Sequence, residues 1–328
     1  MRPYQIPHAQ LKVTKTDVDM LEKEVGLLTK TTGLKFLSAC FVIPKKDEMV
    51  RFNTDFHRLN KMIVRTPFPI PNIQETLSTL EKFKWATVID LVMGYNHMPL
   101  SNKVRQYCGI VLPWGTYVYN FLPMGLCVAI DVFEARLGKL FLDMKSIFIY
   151  IDDILVVSHG TFEENLHTLD EILNMLINKG MQVNMRKCEW FKKEVEYLGY
   201  LIGQDRIRPQ KRKVEKILAI STPRTPTELR GFLGMVNYYR YMWRQRSTLI
   251  APLTDIASRK NKKLNWTARH QDAFEKIKRV IAKEALLVYP DFRIPFEVHT
   301  DSSDYQLGGV VSQRGKPIGF FSRKLNNA

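Results

Sequence analysis

The spacing of apolar residues in the first half of the chain predicts short helices that alternate with strands. Apolar residues at helical spacing predict a helix over 71–83. The apolar run at 86–91 predicts a buried strand that carries an acid near its end. Residues 146–157, SIFIYIDDILVV, predict two strands joined by a tight turn at 151–153.

The pattern after residue 160 predicts one longer helix and then short strands. Thr161 and Glu164 have the spacing of a capping box, apolar residues follow on one helical face, and Gly180 is expected to end the helix. Short strands are predicted near 181–185 and 195–201.

From about residue 206 the pattern changes to basic helices. They are predicted at 211–220, from Thr225 through Tyr239, and at 266–282, and the last fifty residues return to strand-like spacing. The chain therefore predicts an α+β core, a basic helical region and the beginning of another α/β unit.

The formal net charge of +16 is concentrated in one stretch of the sequence. Residues 206–279 hold 19 Lys and Arg against 5 Asp and Glu. A solvated helical face is one explanation for such a stretch. The other is a surface for a polyphosphate backbone, which indicates a nucleic acid as the partner.

The cysteines, the N-terminus and the apolar segments argue against a zinc or redox-dithiol site, a secretory signal and a membrane span. Four cysteines lack the paired spacing of a zinc site or a redox dithiol and predict core or spare thiols in a reducing compartment. The polar N-terminus does not resemble a secretory signal. The most apolar stretch is too short to span a bilayer and carries two acids. We therefore expect an intracellular protein that does not contact a membrane.

Three aspartates are the candidates for chemistry. Asp152 and Asp153 are adjacent in the predicted turn, and Asp90 lies at the end of another predicted strand. An adjacent pair by itself is more commonly a simple Asp-rich turn. Close carboxylates repel, however, and generally require a cation or a proton. Three acids at strand ends suit a pair of magnesium ions, which perform in-line phosphoryl displacement when they lie roughly 3.5–4 Å apart.

The residues around these acids resemble a known family. Tyr150-Ile151-Asp152-Asp153 resembles the signature hairpin of reverse transcriptases, and the chain as a whole is similar to the Pol polyprotein of gypsy-type LTR retrotransposons, a relative of the retroviral one. The other motifs that carry this resemblance are RFNTDFHRLNK at 51–61, DLVMGY at 90–95, LPMGL at 122–126, YLGY at 197–200, TELRGFLGMVNYY at 227–239 and HTDSSDYQLGGVV at 299–311.

The resemblance implies an α+β right-hand polymerase with fingers, palm and thumb, followed by a connection and an incomplete ribonuclease H-like α/β segment. The implied boundaries are an N-terminal extension at 1–40, fingers and palm at 41–205, thumb and connection at 206–262, and a partial ribonuclease H-like domain at 263–328. The implied activity is RNA-directed DNA synthesis from dNTPs on a primed RNA or DNA template. The implied location is the cytoplasm, within a virus-like particle, or the nucleus.

The resemblance also implies roles for individual residues. Asp90, Asp152 and Asp153 would be catalytic and would bind two Mg²⁺ ions (or Mn²⁺), helped by the carbonyl oxygen of Leu91. The remaining implied roles are nucleotide binding by Lys46, Arg51 and Tyr95, contact with the primer end by the backbone of Leu198 and Gly199, and a vestigial ribonuclease H ligand at Asp301. An exposed fingers cation at Lys46 or Arg51 and plain core packing at Tyr95 are the alternatives for those three.

The chain departs from the family's usual pattern at several positions, including His57 where an arginine is usual and Asn53 within an apolar strand. Residues 127–130 read Cys-Val-Ala-Ile where Thr-Asn-Ala-Pro is usual, and Asp131 and Glu134 follow where neutral residues are usual. We expect the loss of Asn and Pro, together with the added negative charge, to weaken substrate binding. After Asp301 the only acid is Asp304, so ribonuclease H activity is expected to be absent.

Two alternatives to a working reverse transcriptase remain open from the sequence. A catalytically decayed retroelement remnant would keep the fold and bind nucleic acid only through residues 206–279. A palm-type nucleotide cyclase would use similar paired acids, but it gives no reason for the basic region or for the YLGY motif.

Overall fold

The computed structural model describes residues 2–44, 50–92, 94–257, 263–283, 285–303 and 306–325. The helices and strands of these ranges are α1 (His8–Lys23), β1 (Leu28–Lys30), β2 (Leu37–Pro44), β3 (Val50–Asp55), α2 (His57–Asn60), α3 (Ile73–Ser78), β4 (Trp85–Asp90), a short 3-10 helix (Gly94–His97), α4 (Asn102–Arg105), β5 (Gly109–Leu112), β6 (Gly115–Tyr119), α5 (Ala129–Leu140), β7 (Ile147–Tyr150), β8 (Asp153–Ser158), α6 (Phe162–Asn178), β9 (Glu189–Lys192), β10 (Glu194–Tyr197), β11 (Tyr200–Gly203), β12 (Arg206–Pro209), α7 (Lys211–Leu218), α8 (Pro226–Asn237), α9 (Arg246–Ala257), α10 (Ala268–Lys283), β13 (Leu287–Val288), β14 (Glu297–Ser303), β15 (Gln306–Gln313) and β16 (Lys316–Lys324).

The chain divides into two compact units, each assembled from separate stretches of sequence. Unit 1 comprises residues 1–71, 89–154 and 166–188, and unit 2 comprises 72–88, 155–165 and 189–328. The residues Asp90, Asp152 and Asp153 all belong to unit 1.

Unit 1 contains a mixed sheet with the strand order β1-β6-β5-β2-β3. Strands β2 and β5 are parallel, whereas β2 and β3 are antiparallel and pair Ala39 with Asp55. Helix α5 buries Phe133 and Leu137 completely, which fixes the face that it turns to the protein interior.

Unit 2 contains two antiparallel sheets, with the strand orders β10-β11-β12-β13 and β14-β15-β16. The core of its helical part includes Phe232 of α8 and Phe274 of α10, whose ring centroids lie 4.6 Å apart. Thr225 caps α8 by accepting a hydrogen bond from the Glu228 backbone N–H, and Pro226 occupies the first helical position, as the sequence predicts.

Candidate active site

The three aspartates lie at the ends of neighbouring segments within unit 1. Asp90 is the last residue of β4, Asp152 lies in the turn after β7, and Asp153 is the first residue of β8. Ile151 in the same turn has a φ of 56°, in the left-handed region that β-branched residues rarely adopt. The predicted strand–turn–strand over 146–157 is therefore confirmed, and its turn is conformationally demanding.

The three carboxylates are close enough to interact electrostatically. Burial raises the pKa of Asp152, and the negative charges of Asp153 and Asp90 raise it further. Asp153 is exposed by surface area, yet partial desolvation raises the pKa of its carboxyl, with a further contribution from Asp90. Both shifts have the sign expected when like charges are held together.

One oxygen in this group lacks a hydrogen-bond partner. Within the described ranges, Asp152 Oδ1 is buried and accepts no hydrogen bond. Among those same residues, no three His, Cys, Asp or Glu side chains are grouped as closely as a ready-made metal site would require. The aspartates nevertheless offer carboxylate oxygens, one of them a buried acceptor without a partner among the described residues. Carboxylate oxygens are the ligands that Mg²⁺ prefers.

Residues 184–188 contact Asp90 at the end of β4. The Asn184 backbone N–H donates to the Asp90 carbonyl oxygen at 2.8 Å, and the Asp90 backbone N–H donates to Cys188 Sγ at 3.4 Å. Lys187 Nζ lies 3.5 Å from Asp90 Oδ1. These contacts orient Asp90 through its main chain and place an exposed cation beside its carboxylate.

Glu134 of α5 supports the turn that carries Asp152. Its carboxylate is 3% exposed and accepts a hydrogen bond from the Ile151 backbone N–H. Burial raises the pKa of Glu134, the Ile151 hydrogen bond opposes this shift, and the charge of Asp152 adds to it. The sequence marked Glu134 as an unusual acid in this helix, but its contact with a turn 17 residues away appears only in the structure.

The second unusual acid, Asp131, is an internal ion-pair partner. Arg65 Nε lies 2.7 Å from Asp131 Oδ2, and the Phe68 backbone N–H donates to Asp131 Oδ1 at 2.9 Å. The Arg65 hydrogen bond holds the pKa of Asp131 below its usual range. The charge added at Asp131 is therefore compensated within the protein.

Tyr95 lies in the 3-10 helix that follows β4. Its side chain is 7% exposed, and its ring centroid lies 5.0 Å from that of Phe133. Burial, followed by the charges of Asp152 and Glu134, raises the pKa of Tyr95 to about 12. A Cβ on the preceding residue, Gly94, would lie 2.8 Å from Phe133 Cζ and 3.0 Å from Asp152 Oδ1, so a larger residue there would force the Phe133 ring to shift. The structure thus brings Tyr95 to the aspartates, and its ring also takes part in packing.

His97, which the sequence did not single out, fixes the same 3-10 helix. Its Nε2 accepts a hydrogen bond from the Gln182 backbone N–H at 3.2 Å, and its Nδ1 lies 3.3 Å from the Gly94 carbonyl oxygen. Because Nε2 is the acceptor, Nδ1 carries the proton and donates to Gly94. A histidine two residues after a candidate tyrosine is too weak a signal to indicate this bridge.

The structure describes neither side chain of the two predicted nucleotide-binding cations, Lys46 and Arg51. Lys46 lies outside the described residues. Arg51 belongs to strand β3, where its backbone pairs with Ile43, and its side chain lies outside the described part of the structure. Their contact with a triphosphate stays a prediction.

The other predicted residues belong to unit 2. Leu198 and Gly199 form the two-residue turn between β10 and β11, with φ values of 47° and 78°. Asp301 is an exposed residue of β14. In the basic stretch, residues Lys211 to Lys213 are exposed, whereas Lys278 is 9% exposed and donates to the Ile220 carbonyl oxygen at 2.9 Å.

Two family models match most of the chain. Residues 43–202 match the family described as reverse transcriptase (RNA-dependent DNA polymerase), and residues 266–328 match the RNase H-like domain found in reverse transcriptase. The described helices show no span that is both long and apolar enough to cross a membrane.

Curated relatives are polyproteins of LTR transposons. The chain is 30% identical over 330 residues to the retrovirus-related Pol polyprotein from transposon 297 of Drosophila melanogaster, with 98% of this chain and 31% of that protein covered. It is 32% identical over 331 residues to the one from transposon gypsy of the same species, with 94% and 32% covered. The chain therefore spans about a third of the length of these two relatives.

Solved structures of similar fold are foamy viral protease-reverse transcriptases. The form in complex with dsDNA has a TM-score of 0.91 at 25% identity and covers 100% of this chain and 69% of its own. The form in complex with an RNA/DNA hybrid has a TM-score of 0.87 at 25% identity and covers 100% and 44%. These similarities confirm the predicted α+β right-hand polymerase fold with a ribonuclease H-like segment. The chain belongs to the reverse transcriptase family, with an RNase H-like segment, and it is similar to part of the Pol polyproteins of gypsy and other LTR transposons.

Proposed function

We propose that this chain is an RNA-directed DNA polymerase that extends a primer 3′-OH with dNTPs on an RNA or DNA template. One observation carries the proposal. Asp90, Asp152 and Asp153 interact electrostatically in the region that matches the reverse transcriptase family, and Asp152 Oδ1 is buried without a partner among the described residues. Burial and neighbouring negative charges raise the pKa values of Asp152 and Asp153, and perturbed acids of this kind are typical of functional sites.

Reverse transcriptases generally use divalent metals, and the residues present fit such ions. Asp90, Asp152 and Asp153, with the carbonyl oxygen of Leu91, would hold two Mg²⁺ ions. When bound, the ions supply Lewis-acid chemistry that lowers the pKa of the primer hydroxyl and neutralises the triphosphate. The chain's own contribution is to keep the carboxylates in place through Glu134 beneath the turn and through Asn184 beside Asp90.

The remaining residues bind and orient the substrates in this proposal. Tyr95 occupies the space that a 2′-hydroxyl would need, while Lys46 and Arg51 meet the triphosphate, where cations offset developing charge. The turn at Leu198 and Gly199 meets the primer end. The basic stretch 206–279 contacts duplex phosphates without reading sequence, which suits an enzyme that must copy any template.

Extension of oligo(dT) on poly(rA) by the purified chain with Mg²⁺ and dTTP tests the proposal. We expect extension by the wild type and none by Asp152→Asn, which removes a ligand oxygen and its charge. Asp143→Asn is the matched control, because Asp143 is an exposed acid just after α5. Absence of extension by the wild type would favour the decayed remnant that only binds nucleic acid. Extension by Asp152→Asn at the wild-type rate would refute the metal assignment.

A further inference from the structure

The turn between β10 and β11 has a backbone that needs outside support. Tyr197 pairs with Tyr200 across the hairpin, which leaves Leu198 and Gly199 as the two turn residues, both with positive φ. A hairpin of this kind favours Asn or Gly at both positions because they tolerate left-handed backbone. Leucine does not, so the contacts around Leu198 must offset the unfavourable conformation.

Two tyrosines that follow α8 supply such contacts. The Tyr238 hydroxyl donates to the Leu198 carbonyl oxygen, and the Tyr239 hydroxyl donates to the Gly199 carbonyl oxygen at 2.9 Å. The Gly199 carbonyl also accepts from the Gln210 backbone N–H at 3.1 Å. Each of the two turn residues therefore has its carbonyl oxygen held by one tyrosine, about 40 residues later in sequence.

Ring packing fixes the positions of the two hydroxyls. The Tyr200 ring stacks on Tyr238 with centroids 5.4 Å apart, and Tyr239 meets Tyr200 edge-on at 5.3 Å. The Tyr200 hydroxyl in turn donates to the Tyr238 carbonyl oxygen at 3.0 Å. A Cβ on Gly199 would lie 3.3 Å from the Tyr238 ring, so the turn and this ring are in close contact. The hairpin and the end of α8 thus hold each other rigidly through three aromatic side chains.

We propose that Tyr238 and Tyr239 are positioning residues that hold the Leu198–Gly199 turn in the conformation from which it meets the primer. Tyr239 is 3% exposed, so its ring is not available for stacking on a base. The carbonyl oxygens of the turn are occupied by the two hydroxyls, and Leu198 and Gly199 are both partly exposed. The primer contact rests on the function proposed above, whereas the fixing of the turn does not.

Phenylalanine substitutions test the proposal with little change in packing. Tyr238→Phe, Tyr239→Phe and the double variant remove only the hydroxyls, and Tyr107→Phe is the control, since Tyr107 is 41% exposed and its hydroxyl has no hydrogen-bond partner within the described ranges. Hydrogen exchange of the hairpin over 194–203 should become roughly two- to tenfold faster in each single variant, the range that one neutral hydrogen bond implies. Exchange in α5 and β8 should be unchanged.

The second measurement is primer extension with the dNTP and the primer–template varied separately. We expect the KM for the primer–template to rise roughly two- to tenfold in each single variant, with the KM for dTTP unchanged. Unchanged hairpin exchange in the double variant would overturn the fixing of the turn. Faster exchange with an unchanged primer–template KM would overturn the link to the primer. Inactive wild-type protein would count against the proposed polymerase function, and the exchange measurement would still decide the role of the tyrosines.

Discussion

Replacement of Glu134 separates its role as a hydrogen-bond acceptor from its charge. Glu134→Gln keeps an oxygen that can accept from the Ile151 backbone N–H, whereas Glu134→Leu removes the acceptor and fills similar space. A hydrogen bond to a charged group contributes about 1.5–3 kcal/mol, and an unsatisfied buried N–H costs about 1–3 kcal/mol. Because Glu134 is 3% exposed, water cannot readily replace it. We therefore expect Glu134→Leu to lower the free energy of unfolding by about 2 kcal/mol.

The amide variant should behave differently at neutral pH. Burial and the charge of Asp152 both raise the pKa of Glu134, so its ionised form disfavours the folded state. A carboxyl whose folded pKa is raised binds more protons when folded, and it therefore lowers stability as the pH rises above its unfolded value. Glu134→Gln removes this penalty and should be at least as stable as the wild type at pH 7. The difference in free energy of unfolding between Glu134→Gln and the wild type should shrink as the pH falls toward the ordinary pKa of a glutamate.

Urea unfolding followed by tryptophan fluorescence, at several pH values, measures the destabilisation of Glu134→Leu and the pH-dependent stability of Glu134→Gln. Primer extension provides a second readout, because a displaced Ile151 would shift Asp152 beside it. We expect extension to be lost in Glu134→Leu and retained in Glu134→Gln. If Glu134→Gln proved as destabilised as Glu134→Leu, or if Glu134→Leu unfolded like the wild type, the assigned role of the carboxylate would be wrong.

Three further predictions follow from the proposed roles. Asp152→Asn should abolish extension but keep duplex affinity within about twofold in a filter-binding assay, because it removes a metal ligand and not a phosphate contact; a large loss of affinity would contradict this. Exchanging Lys211, Arg212 and Lys213 for Gln should flatten the dependence of duplex affinity on salt, with the slope falling by up to about three; an unchanged slope would place the contact elsewhere. Tyr95→Val should raise the kcat/KM ratio of ribonucleotides to deoxynucleotides, and an unaltered ratio in an active variant would leave Tyr95 a packing residue.

Local signals in the sequence were sufficient for elements with strong caps or turns. The Thr161 and Glu164 capping box is present in α6, with the Thr161 backbone N–H donating to Glu164 Oε2 at 2.7 Å. Gly180 adopts a φ of 73° shortly after that helix, as a helix stop requires. These features depend only on residues within a few positions of one another, which is the range that a sequence pattern can specify.

Several predicted boundaries were wrong because tertiary contacts set them. The helix predicted over 71–83 is confined to Ile73–Ser78, and Leu80 and Phe83 are buried outside it. Residues 181–185 do not form a named strand, although they meet the end of β4 through an isolated bridge between Val183 and Leu91 and the hydrogen bond from Asn184 to Asp90. The strand structure predicted near 195–201 is present as β10 and β11, with the turn at Leu198 and Gly199 between them. At Leu80 and Phe83, burial alone produced the apolar pattern.

The loop before α5 is held by long-range contacts within unit 1. Val128, the N-cap residue of α5, makes no side-chain capping hydrogen bond. The loop before it is held by Asn60, whose Oδ1 accepts from the Cys127 backbone N–H at 2.9 Å and whose Nδ2 donates to the Gly125 carbonyl oxygen at 2.9 Å. One side chain thus satisfies both a donor and an acceptor of this loop. Both Asn60 contacts are to backbone groups, so they do not depend on which side chains occupy 127–130, whereas the ion pair with Arg65 depends on the acid at Asp131. A local sequence pattern could not have indicated either set of contacts, because the partners lie more than 60 residues apart in the chain.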